Sequence, residues 1–212
     1  MILGRRSKND DADAVPVAEE TVEVATEGPE ASDRSNGPWD ASEVEDDGSR
    51  MDLGGIRVRG VEGLQMQVQM DERTGAVSLV TLSAADGAVQ IQAFAAPRSQ
   101  GIWDEVRGQL TSSISASGGL VEEIDGEFGP ALQAKVPGQG GALQDARFVG
   151  VDGPRWFLRG LFLGSAAAPG KNTVLEGVFR DIVVVRGSDA MAPGDALPLR
   201  LPEGAQATKA DG

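Results

Sequence analysis

From Leu64 to Met70 the chain alternates apolar and amide residues without a break: Leu-Gln-Met-Gln-Val-Gln-Met. A period of two puts every other side chain on the same side of an extended strand, so this stretch predicts a strand with one face toward a core. The residues that follow repeat the theme. Asp71 to Gly75 is turn-forming, Ala76 to Ser83 reads as a second strand, and Asp86-Gly87 is a two-residue hairpin signal before a third strand over Ala88 to Ala95. Leu120 to Ile124 and Phe128 to Val136 flank Asp125-Gly126. Ala146 to Val151 and Arg155 to Gly164 flank Asp152-Gly153-Pro154. Three hairpins and few parallel crossovers are expected.

Two segments change period. Trp103, Val106, Leu110 and Ile114 are spaced for one helical face, with Asp104 and Glu105 in the first turn and Gly118-Gly119 at the end. Thr173-Val174-Leu175-Glu176 has the form of a capping box, and Val174, Val178 and Ile182 share a face beyond it, with Leu175 and Phe179 beside them. Ile182 to Arg186 is a short β-branched run, read as a last strand. Strands, helix, strands, helix is the order of an α+β domain. The expected fold is a mainly antiparallel sheet of about six or seven strands with two principal helices packed on it.

Composition sets the domain limits. Residues 1–36 are rich in Asp, Glu, Ala, Ser and Pro and have no apolar period, so they are read as a disordered acidic tail. The first fifty residues hold 14 Asp/Glu against 5 Lys/Arg, so most of the net charge of −14 lies there. Residues 37–50 carry a single Trp39 in a polar stretch and are read as a docking segment. Trp39 serves either as a packing anchor or as a recognition residue for a partner. Residues 51–201 form the single domain, and 202–212 a disordered C-terminal tail.

The same composition excludes several chemistries. There is no Cys, His or Tyr. Thiol catalysis, thiolate metal sites, the Ser-His-Asp triad and imidazole ligation are therefore out of reach. The acidity opposes direct binding to phosphate backbones or anionic lipid. No apolar run reaches the roughly 20 residues of a membrane span, and the N-terminus lacks the apolar region of a signal peptide. A cytoplasmic location is the expectation. The glycine run Pro137-Gly138-Gln139-Gly140-Gly141 lacks the Lys-Ser/Thr ending and the following helix of a phosphate loop. Glu122, Glu123, Asp125 and Glu127 crowd one hairpin but form no calcium-loop pattern. No cofactor, metal or catalytic residue is assigned.

Arginine offers the sharpest candidates. Arg147, Arg155 and Arg159 fall on or beside one hairpin. Arg159 lies on a strand whose two faces both carry apolar residues. A partly covered guanidinium needs a partner. One reading is a salt bridge to Asp104, Asp152 or Asp181. The other is an anion or acidic-peptide site assembled from Arg98, Arg147, Arg155, Arg159 and Arg180, which the chain's own acidic tail could also occupy. Gln65, Gln67 and Gln69 on one strand, and Gln90 and Gln92 on another, form either a solvated sheet surface or a polar partner face.

Four segments carry a family resemblance: Asn36-Gly37-Pro38-Trp39-Asp40, Gln90 through Arg98, Gly101 through Val106, and Ala146 through Gly160. Across about Asn36 to Leu201 the chain resembles an actinobacterial family known only as a domain of unknown function. The resemblance implies a cytoplasmic bacterial protein, with genes often beside those of a dUTPase and an OB-fold protein, and brings no activity or catalytic residue. The element order is also similar to the PsbP-type sandwich. Taken together, the expectation is a non-catalytic interaction or scaffold protein that binds an unidentified protein partner. The alternatives are an accessory factor of a nucleic-acid or nucleotide-metabolism complex without direct phosphate contact, and an enzyme built on carboxylates and arginines.

Overall fold

The computed structural model describes residues 34–70, 76–98, 101–138 and 142–201. Most of the expected acidic tail, the turn at 71–75, the glycines of the 137–141 loop beyond Gly138, and the C-terminal tail lie outside the described residues.

Eleven strands and two helices are present among them: β1 (Trp39–Asp40), β2 (Arg50–Asp52), β3 (Ile56–Arg59), β4 (Gln65–Met70), β5 (Val77–Ala84), β6 (Gly87–Ala95), α1 (Trp103–Ala116), β7 (Leu120–Gly126), β8 (Gly129–Pro137), β9 (Leu143–Gly153), β10 (Trp156–Gly164), α2 (Thr173–Arg180) and β11 (Val183–Val184). Seven strands form one antiparallel sheet in the order β4-β5-β6-β10-β9-β8-β7. The alternating and hairpin-linked segments of the sequence supply all seven, which makes the fold α+β.

A second sheet, β1-β11-β3-β2, was not expected from the sequence. Its strands are two to four residues long, too short for a period to stand out. Ile56-Arg57-Val58-Arg59 is the one stretch with a readable alternation, and Ile56 and Val58 are fully buried. β1 pairs in parallel with β11, Trp39 opposite Val183, so the segment carrying Trp39 is held by main-chain hydrogen bonds as well as by its ring.

The large sheet has two differently covered faces. On one, Val80, Leu82, Val89, Ile91, Trp156, Leu158 and Phe162 pack against α2, the small sheet and the C-terminal strap that carries Leu197 and Leu199. The strap is sewn down by Leu197 N–H to the Ala93 carbonyl (2.8 Å) and Arg200 N–H to the Leu53 carbonyl (2.8 Å). On the other face, α1 lays Trp103, Val106, Leu110 and Ile114 over β7, β8 and β9, against Leu132, Ala134, Phe148 and Phe157. Burying side chains of this size contributes about 1.5–3 kcal/mol each relative to exposure.

Both helix ends differ in detail from the sequence reading. The N-cap of α2 is Asn172, one residue before the expected Thr173. Its side-chain oxygen accepts from Leu175 N–H. Glu176 therefore does not reach back to close a capping box. The buried face of α2 is Leu175, Glu176, Val178 and Phe179, whereas Val174 is 46 % exposed. The helix is rotated by its need to bury Phe179, which meets Phe128 and Phe162 edge-on. α1 has no local side-chain cap. Asp152, fifty residues along the chain in the β9–β10 turn region, accepts from Ile102 N–H (2.9 Å) and Trp103 N–H (3.2 Å) instead.

Candidate functional site

A helix is about 10 Å across and a seven-stranded sheet about 29 Å wide. One helix can therefore cover only part of such a sheet. α1 sits over β7, β8 and β9, and the same face of β4, β5 and β6 has no element upon it among the described residues. This uncovered face is built by alternation. Gln65, Gln67 and Gln69 from β4, Leu79, Thr81 and Ser83 from β5, and Gln90, Gln92 and Phe94 from β6 all point to it, with Arg159, Leu161 and Leu163 of β10 at its border with the helix. Cross-strand register fixes the rows: Leu161 stands opposite Gln90, Gln90 opposite Thr81, and Thr81 opposite Gln67.

An aromatic row leads from under the helix to this face. Trp103 stacks on Phe157 (5.7 Å between centroids), Phe157 stacks on Phe94 (5.9 Å), and the Arg159 guanidinium lies over Phe94 (5.4 Å). Trp103 can lie flat because Gly150 is beneath it. A Cβ there would come within 2.2 Å of the indole ring. The indole N–H donates to the Pro130 carbonyl (2.7 Å), and Arg107 covers the outer side of the ring while pairing with Asp104 (2.8 Å) and Glu123 (2.8 Å).

Arg159 is half-buried and donates to the side-chain oxygen of Gln92, its direct neighbour on β6. Burial pulls its guanidinium below the ordinary arginine value. The carboxylate partners expected for it are engaged elsewhere. Asp104 pairs with Arg107, Asp152 caps α1, and Asp181 is shared by Arg50 (2.6 Å) and Arg59 (2.7 Å). For Asp181 the separation has a simple origin. Strand parity puts Arg159 on the α1 face, while Asp181 lies at the end of α2 on the opposite side of the sheet.

The five arginines are not brought together. Arg147, on the neighbouring strand β9, points through the other face and is buried against Glu176 (2.6 Å), the Ala166 carbonyl (3.1 Å) and the Phe162 ring (4.6 Å). Arg180 closes α2, pairs with Glu127 and lies over Phe128. Arg155 occupies the β9–β10 turn at φ 64°, its carbonyl accepting from Ala96 N–H (2.9 Å) and Arg186 Nε (3.2 Å). Arg98 is exposed beyond the end of β6. Trp39 is half-buried beside Gly37, on the small sheet and away from Arg159.

Two clefts accompany these features. One of about 280 Å³ lies between α2 and the β3–β4 connection, floored by Val61, Val174 and Val178 and edged by Arg59 and Asp181. A wider one of about 560 Å³ is bordered by Asp86, Gln133, Asp145 and Lys171. Among the described residues no three acidic side chains converge as a cation cage would require. No helix among them is long and apolar enough to cross a membrane. Sequence reasoning singled out Arg159, Gln90 and Gln92. It missed Phe94 as the ring beneath the guanidinium, although Phe94 shares the parity of Gln90 and Gln92.

Neither the curated proteins nor the solved structures hold a match to this chain. A family pattern does match, over residues 37–208, which takes in both sheets and both helices. The chain belongs to the family described as Protein of unknown function (DUF3710).

Proposed function

We propose that this is a non-catalytic interaction protein that binds a protein segment through the uncovered sheet face, with Arg159 receiving a carboxylate of the partner. One observation carries the reading: Arg159 is half-buried on an aromatic ring yet bonded to a neutral amide, on a face where Phe94, Leu161 and Leu163 are left partly exposed. A guanidinium has five donors in a planar fork, and one amide oxygen satisfies few of them. A carboxylate would be held in charge-assisted, bidentate fashion. The flanking Leu and Phe side chains suit apolar residues on either side of that carboxylate, and the Gln, Thr and Ser side chains suit a main chain laid along the sheet. The absence of Cys and His from the chain and the scattering of its carboxylates both favour recognition over catalysis. A cytoplasmic, actinobacterial protein fits this reading.

The test is an NMR titration of the full chain with a capped pentapeptide of the form apolar-Glu-apolar, beside its Gln counterpart. The Arg159 Nε–H and Gln92 side-chain amide signals should shift saturably with the Glu peptide and much less with the Gln peptide, and in Arg159→Met the Gln92 signal should shift with neither. Equal shifts with both peptides, or none, would remove Arg159 from the site. Deleting residues 1–33 provides a second arm. A change in the Arg159 signal on deletion would make the chain's own acidic tail the occupant.

A further inference from the structure

The two edges of the large sheet differ in chemistry. β7 carries Glu122, Glu123 and Asp125 along its length, and charge of one sign on an edge strand discourages further pairing. β4, the opposite edge, carries no charge and no proline from Leu64 to Met70. One side of β4 pairs with β5, and among the described residues no strand pairs with the other. Leu64, Met66 and Val68 reach the core but are only half-buried, and Met70 is 39 % exposed.

The pattern along this edge is symmetric about Gln67. Reading outward, Gln67 is flanked by Met66 and Val68, then by Gln65 and Gln69, then by Leu64 and Met70. In an antiparallel pair, residues directly opposite share a face of the sheet. A two-fold axis through Gln67 would therefore set Gln65 against Gln69, Met66 against Val68, and Leu64 against Met70 of a second copy. Every amide meets an amide, and each side-chain amide is both donor and acceptor. Every apolar side chain meets an apolar one on the core face. A slip of one residue sets Gln against Met or Val throughout, and a slip of two leaves part of the seven-residue run unmatched.

We propose that the chain forms a two-fold dimer by antiparallel pairing of β4 with β4, which joins two seven-stranded sheets into one continuous sheet. The pairing would complete the edge hydrogen bonds and finish the burial of Met66 and Val68. It would also place the two uncovered faces side by side. A strand pair of about 23 Å is a small interface, in the range of weak, exchanging assemblies. The proposal is independent of Arg159 and of the partner class argued above.

Sedimentation velocity on the full chain, from about 1 to about 500 µM, spans that range of affinity. The wild type should pass from monomer to dimer. Gln67 is exposed, so Gln67→Glu and Gln67→Lys should keep the fold, which circular dichroism checks. At the two-fold axis each variant places like charges face to face, so each alone should dimerise more weakly by about fivefold or more. An equimolar mixture of the two should recover dimer as a heterodimer. A wild type that stays monomeric across the range would overturn the proposal. So would a dimer equally strong in Gln67→Glu, or a mixture no more associated than its components.

Discussion

Arg147 of β9 and Glu176 of α2 meet at 2.6 Å in the interior, both nearly inaccessible to solvent. The same Glu176 oxygen accepts from Gly170 N–H (2.9 Å), and the same Arg147 nitrogen donates to the Ala166 carbonyl (3.1 Å). One ion pair thus ties α2, the 165–171 loop and the centre of the large sheet together.

That geometry makes the pair costly to break and cheap to replace. Removing one partner strands a buried charge, so Arg147→Met or Glu176→Leu should each destabilise by about 3–5 kcal/mol. Arg147→Met combined with Glu176→Leu leaves no unpaired charge and should cost clearly less than the sum of the two single changes. Urea unfolding of the three variants reads this directly. Additive losses would show that the two residues act separately.

Asp40 and Asp152 should respond to pH in opposite senses. Burial pushes the Asp40 carboxyl up, but hydrogen bonds from Ser42 and from the Trp156 indole (2.7 Å), with the Arg34 charge, outweigh it and leave it below 3.8. Its contribution is complete above the unfolded value of 3.8 and is lost as pH falls through the lower folded value. For Asp152, burial outweighs the hydrogen bonds from Ile102 and Trp103, and the carboxyl lies above 3.8. Its contribution is complete below 3.8 and is lost as pH rises through the higher folded value. Unfolding from about pH 3 to about pH 7 should show that Asp152→Asn loses a term that declines with pH, and Asp40→Asn one that grows with pH. Matching slopes for the two variants would contradict this assignment.

Gly150→Ala should loosen α1 without touching its sequence. The new methyl would sit 2.2 Å from the Trp103 ring, which is packed between Phe157 and Arg107 and has nowhere to retreat. Overpacking of this kind costs about 1–3 kcal/mol. The loss should appear as a lower melting temperature together with a changed near-ultraviolet signal from Trp103. An unchanged melting temperature would mean that the helix reseats freely.

Much of the large sheet was legible because its strands are long enough to show a period. Gln65 to Met70 and Gly87 to Ala95 alternate over six and nine residues, and the turns between strands use Gly, Asp and Pro where tight reversals need them. β1, β2 and β11 were not legible as a sheet. Two or three residues carry no period, and β11 pairs with β1 and β3, both more than a hundred residues away in the chain. The N-cap of α2 was misplaced by one residue because Asn172 and Thr173 are both good caps, and only the burial of Phe179 and Glu176 chooses between them.

By itself, the sequence determined the class of the fold, the hairpins of the main sheet, the two helices and the exclusion of thiol and imidazole chemistry. Those properties follow from residue types and from neighbours close in the chain. The tertiary structure alone decided which arginine finds which acid. Arg147 and Arg159 lie twelve residues apart on adjacent strands, yet one points into the α2 side and meets Glu176 while the other points to the α1 side and meets Gln92 and Phe94. Strand parity sends a side chain to one face or the other, but what waits there is set by how distant segments stack. The same reason explains the uncovered face. No local pattern in α1 or in β4 to β6 states that one helix will lie over one half of the sheet and that, among the described residues, the other half will have no element upon it.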